Sequence, residues 1–195
     1  MHFIPSFTEI VAIGLLLTTL FALNSCNQRT AQSTEQLQKD FDNLKVQHRQ
    51  LLDESEIRNT IYRFSDAANR KDGEQFQSLW AKEGVWKIGP PINVEFKGKE
   101  NMGASVIKML SLWDFFVQMP SALVIQVNDD TATARVYVNE VARRSDDKHG
   151  NYNLSMYEDE LIKEDGKWVF IKRTYHTVYQ DAPDYKGLIQ PLPKF

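Results

Sequence analysis

Between Thr131 and Arg143 the side chains alternate without interruption. One face carries Ala134, Val136, Val138, Glu140 and Ala142, and the other carries Arg135, Tyr137, Asn139, Val141 and Arg143. A period of two is strand geometry, because successive side chains point to opposite sides. The segment is therefore a long strand with its first face in the core. Tyr152–Lys163 and Trp168–Tyr179 follow as strands, joined by Asp165-Gly166, a hairpin turn signal. Leu123, Ile125 and Val127 alternate ahead of Asn128-Asp129-Asp130, a further turn. Four strands close the chain.

The residues before them read mainly as helix. A start signal at Ser55 leads into Ile57, Ile61, Phe64 and Ala68 along one face, and Asn69-Arg70-Lys71-Asp72-Gly73 ends it. A short helix over residues 74–80 buries Phe76, Leu79 and Trp80. Val85–Ile88 is extended, Gly89-Pro90-Pro91 turns, and Ile92, Val94 and Phe96 form a half-buried strand. Met102, Val106, Met109, Leu110, Trp113 and Phe116 space as a long amphipathic helix that stops before Pro120. Helices followed by a run of strands predict an α+β fold. The expected form is a curved antiparallel sheet wrapped around a long helix, a cone whose apolar interior suits a small molecule.

The amino terminus reads as an address. Ile10–Leu23 is an uncharged apolar run of 14 residues, shorter than the ~20 of a comfortable membrane span. It fits the apolar centre of a signal peptide over residues 1–25. Leu23-Asn24-Ser25-Cys26 resembles a bacterial lipobox, with Cys26 as the lipid-attachment residue. An uncleaved anchor helix is the alternative. Either places the rest of the chain in the cell envelope, outside the cytoplasmic membrane. Residues 26–53 then form a tether, polar and flexible over Asn27–Thr34. Leu37, Phe41, Leu44, His48 and Leu51 follow at spacings of 4, 3, 4 and 3. That stripe fits an amphipathic helix lying on its own domain or a short dimer-forming stalk.

Composition narrows the function classes. The chain has 23 basic and 26 acidic residues, a net charge of −3, and −2 once the leader and its Glu9 are removed. It has no basic footprint for nucleic acid. A single cysteine excludes an internal disulfide framework and a cysteine zinc cluster. Neither paired histidines nor a glycine-rich phosphate loop occurs, so no metal and no cofactor is expected.

The stretch IYRFSDAANRKDGEQFQSLWAKEGVW resembles the opening helices of SnoaL-like domains, part of the nuclear transport factor 2-like superfamily, with scytalone dehydratase and ketosteroid isomerase as relatives. VNDDTATARVYV resembles that family's hairpin between the third and fourth strands, and YEDELIKEDGKWVFIKRTY its closing hairpin. Together these cover residues 54–180, leaving 181–195 as an extended tail. The resemblance implies the cone fold, a pocket for a small hydrophobic ligand and pairing into a homodimer through the sheet. Catalytic members carry a Tyr and, five residues later, an Asp on the first helix, and a His late in or after the long helix. Here the first two positions hold Phe64 and Asn69, and residues 116–122 contain no His.

Glu140 is the only charge on the inward face of its strand. Desolvation would raise its pKa toward the range useful for proton transfer. As an enzyme, the chain would be a cofactor-independent lyase or isomerase, with Glu140 as base and Asn69 and Tyr175 polarising a substrate oxygen. Phe64, Trp80, Trp86, Trp113, Phe116, Arg173 and His176 would line the pocket. The competing expectation makes Glu140 a structural ion pair with Arg173 or Arg143, and the aromatics core packing. The chain is then a non-catalytic binding or interaction module.

Overall fold

The computed structural model describes the backbone of residues 7–146 and 148–190, and side chains from residue 33 onward within those ranges. The signal-peptide and Cys26 assignments, and the end of the tail at Pro191 and Pro193, lie outside what is described. Among the described residues no helix is long and apolar enough to cross a membrane.

Helix α1 is Phe7–Arg70, α2 is Gly73–Ser78 and α3 is Lys99–Leu110. The strands are β1 Trp80–Ile88, β2 Val94–Lys97, β3 Trp113–Asn128, β4 Thr131–Arg144, β5 Gly150–Glu164 and β6 Lys167–Asp181. They form one six-stranded sheet in the order β2-β1-β6-β5-β4-β3. Every pairing is antiparallel except β1 with β6. The α+β reading holds, with a mixed sheet in place of the purely antiparallel one expected. The chain divides into two compact units, Met1–Arg49 and Gln50–Phe195. The sheet and its core belong to the second.

Three local readings are corrected. No helix begins at Ser55, because α1 runs through that residue and through Asn27–Thr34. Neither glycine nor proline occurs between Gly14 and Gly73, so nothing breaks the helix. It stops at Lys71, whose φ of 55° closes it with a hydrogen bond from Asp72 N to Ala67 O. The helix expected over residues 74–80 ends at Ser78, and Trp80 opens β1. The helix through Met102 ends at Leu110, so Trp113 and Phe116 stand on β3. Aromatic and β-branched residues favour the strand there. Pro120 is tolerated within β3 because that strand is a sheet edge.

The core fills the space between the helices and the concave face of the sheet. Ile57, Ile61, Phe64 and Ala68 supply it from α1, Met102 and Val106 from α3, and Ala134, Val136 and Val138 from β4. At its centre lies a charge. Arg173 on β6 is 0% exposed. Its guanidinium carbon sits 4.2 Å from the ring centre of Phe64, 3.9 Å from Tyr157 and 4.6 Å from Phe170. Across the β5–β6 ladder it faces Asp159, with Nη1 to Oδ2 at 3.3 Å. The contact is ionic and not aligned for a hydrogen bond. Burial pushes the Asp159 carboxyl up to about 6, against the downward pull of Arg173.

Removing one member of such a pair strands the other charge out of water. Arg173→Met is expected to cost about 3–5 kcal/mol in urea unfolding at neutral pH. The double variant Asp159→Leu/Arg173→Met is expected to regain most of that loss, and additive losses would refute the coupling.

Candidate functional site

The sheet register assembles a row of polar side chains. Gln118 on β3 opposes Glu140 on β4, and Glu140 opposes Asn153 on β5. Gln118 Nε2 donates to Glu140 Oε2 at 3.0 Å, and Asn153 Nδ2 donates to Oε1 at 2.9 Å. Ser65 of α1 donates through Oγ to Gln118 Oε1 at 2.9 Å, and Gln118 Nε2 also reaches the Tyr157 hydroxyl at 3.4 Å. Ser155 Oγ donates to the Tyr175 hydroxyl at 2.7 Å. All of these side chains are buried.

Glu140 points inward as expected and is 8% exposed. Desolvation raises its pKa, while hydrogen bonds from Gln118, Asn153 and Tyr175 oppose the rise. The cations proposed for it go elsewhere. Arg173 pairs with Asp159, and Arg143 reaches Asp114 at 3.4 Å. Its hydrogen-bond partners are therefore neutral. Burial also raises the pKa of Tyr157 and Tyr175, which keeps both phenols protonated at neutral pH.

Asn69 has both ends of its amide engaged. Nδ2 donates to Gln118 O at 3.0 Å, and Oδ1 accepts from Gln118 N at 2.7 Å. It ties the end of α1 to β3, with one amide N–H and the carbonyl oxygen engaged. Phe64, Trp80 and Trp86 pack within the core, Phe64 edge-on to Trp80 at 6.2 Å and Trp80 tilted against Trp86 at 6.5 Å between ring centres. Trp113 is half-buried against that core. His176 lies on the opposite face of the sheet and meets Glu158 at 3.0 Å, a correction to its pocket assignment. It sits next to the inward Tyr175, so strand alternation turns it outward.

The open space lies beside this network. A cleft of about 730 Å³ has Asn69, Phe115, Phe116 and Val117 on one side and residues 184–190 on the other. Asp114 lines it, and Lys148 at 2.7 Å together with Arg143 holds the Asp114 carboxyl below its usual pKa. Arg143 also clamps the carboxyl-terminal segment, donating to Tyr185 O at 3.1 Å and Gly187 O at 3.2 Å. Tyr185 packs on Phe115 with ring centres 6.3 Å apart. Gly150 leaves room for the segment, since a Cβ there would collide with Pro183 O. Phe116 and Asn69 are the predicted site residues that reach this cleft. Sequence reasoning missed Gln118, Asn153, Ser155, Tyr157 and Asp159. The last four alternate along one strand, and that parity was the available signal.

A carboxyl group whose pKa is higher folded than unfolded binds its proton more tightly in the folded state. Stability is then greatest below the unfolded pKa, about 4, and falls as pH rises through the folded one. Glu140→Gln is therefore expected to unfold at higher urea than the parent at pH 7, with the gap closing toward pH 4. The Asn153 amide can turn to receive it, because Asn153 Oδ1 has no hydrogen-bond partner among the described residues. A variant destabilised at pH 7, with the loss shrinking as the parent carboxyl is protonated toward acid pH, would mean instead that the ionised carboxylate holds the fold.

The fold recurs widely. A hexachlorocyclohexane dehydrochlorinase from Novosphingobium barchaimii superposes with a TM-score of 0.65 at 16% identity, over 73% of this chain and 97% of its own. A candidate scytalone dehydratase from Novosphingobium aromaticivorans gives 0.62 at 18% identity, over 71% and 91%. A Nostoc punctiforme protein of unknown function with a cystatin-like fold gives 0.55 at 26% identity, over 65% and 91%. No curated protein matches the sequence. Residues 49–174 match the SnoaL-like domain model, and the chain belongs to that family.

Proposed function

We propose that this protein is an envelope-anchored SnoaL-like domain that binds a small hydrophobic ligand in the cleft beneath its carboxyl-terminal segment, without catalysis. The observation that carries this reading is where space and chemistry fall. The conical interior is occupied by Phe64, Phe76, Trp80, Trp86 and Phe170, all buried. The cleft has an apolar floor of Phe115, Phe116 and Val117, and its polar edge at Asn69 is already committed to Gln118. The acid/base positions that the resemblance implies hold Phe64 and Asn69, neither of which titrates. The dehydratase and dehydrochlorinase named above share the fold, and fold alone does not carry their chemistry to this chain.

A second reading rests on Glu140. A desolvated carboxylate beside a protonated Tyr175 is suited to proton transfer in a cofactor-independent lyase or isomerase. The anchoring part of the proposal rests on the apolar leader and on Cys26 being the chain's only cysteine. Pairing through the outer sheet face is supported by the exposed Met119, Val124 and Tyr137.

A thermal-shift screen of sterols, polyketides and phenols tests the cleft. A ligand at a hundredfold its Kd should stabilise the protein by about 2.7 kcal/mol. Val117→Trp, which fills the cleft, is expected to abolish the shift, and Glu140→Gln to keep it. Turnover of a hit that Glu140→Gln abolishes would instead establish the enzyme. For the anchor, Cys26→Ser is expected to release the protein from membranes and end fatty-acid labelling. Retention of the variant would favour an uncleaved helix.

A further inference from the structure

The amino-terminal half of α1 carries an apolar stripe that the folded domain's core does not include. Leu37, Phe41 and Leu44 are 66%, 51% and 61% exposed, and His48 continues the stripe, also exposed. Their spacings of 4, 3 and 4 place Leu37 and Leu44 at d and Phe41 and His48 at a of a heptad. The backbone through all four is helical, so the stripe exists as one face. The side chains at b, c and f around them include Glu35, Gln36, Lys39, Asp42 and Asn43, a mainly polar surface that also carries the exposed Val46 at f.

We infer that this stripe is a docking surface for a second copy of the chain, forming a short parallel two-stranded coiled coil. Charge selects the partner and its direction. Asp40 occupies g and Lys45 occupies e. In a parallel pair, g of one helix meets e of the other five residues on, so each Asp40 faces the other copy's Lys45, twice over by symmetry. An antiparallel pair sets g against g and e against e. The neighbouring g positions are Ser33 and Gln47 and the neighbouring e positions Gln38 and Leu52, so that arrangement gives Asp40 no base and Lys45 no acid. In the single chain Lys45 Nζ lies 4.5 Å from the Phe41 ring centre, at the flank of the stripe where the partner's carboxylate would arrive. His48 at a supplies a polar layer, the kind of position that fixes register. Two heptads associate weakly in dilute solution. Confinement to one membrane surface, which rests on the lipid-anchor reading, raises the effective concentration.

Oxidative cross-linking of the full-length protein in its own membranes tests this. Leu37→Cys and Leu44→Cys stand at d, within disulfide reach of their counterparts in a parallel coil, and Lys39→Cys and Asn43→Cys at f and c are not. Disulfide-linked dimer is expected at about fivefold higher yield from the d positions. Adding Lys45→Asp to Leu44→Cys should cut the yield several-fold, and adding Asp40→Lys as well should restore it. Equal yields at all four positions, dimer at Leu44→Cys but not at Leu37→Cys, or indifference to charge reversal would each overturn the proposal. Fatty-acid labelling of the same samples reads the lipid anchor separately, so failure of either reading leaves the other visible.

Discussion

The fold is organised around a guanidinium that has been taken out of water. Arg173 is surrounded by Phe64, Tyr157 and Phe170 and balanced by Asp159 on the neighbouring strand. Desolvating an arginine is costly, and the ring faces together with one carboxylate must offset that cost. The arrangement constrains what surrounds it. The helix that supplies Phe64, the strands that supply Tyr157 and Phe170, and the Asp159 register all have to meet at one point. At that point aromatic rings pack directly on the cation.

A second polar group sits on the neighbouring strands. In the Gln118–Glu140–Asn153 row both oxygens of Glu140 are hydrogen-bonded, and Asn69, which lines the cleft, joins the row through the Gln118 backbone. The residue type that a proton-transfer mechanism would use is therefore present, but amides hold it on both oxygens. The cleft supplies shape and apolar area, with its charged groups paired at the rim.

Alternation in Thr131–Arg143 identified the inward face of β4 and put Glu140 on it correctly, because a half-buried strand shows its period directly. The partners of Glu140 and Arg173 were not legible, for one shared reason. Counting outward from the Asn128–Thr131 turn opposes Glu140 to Met119, and a bulge between Ser121 and Leu123 moves the partner to Gln118. Counting from Asp165-Gly166 opposes Arg173 to Glu158, and a bulge between Glu160 and Leu161 moves it to Asp159. A one-residue slip exchanges the two faces of a strand, so each bulge determines which side chain enters the core. Trp113 and Phe116 misled for a different reason. Their spacing continued the helical period of α3, while their intrinsic preference was for a strand.

Arg143 grips residues 185 and 187 through main-chain carbonyls. Main-chain oxygens are the same whatever side chains accompany them. Substitutions along residues 184–190 can thus rewrite what one wall of the cleft presents while the wall itself keeps its place.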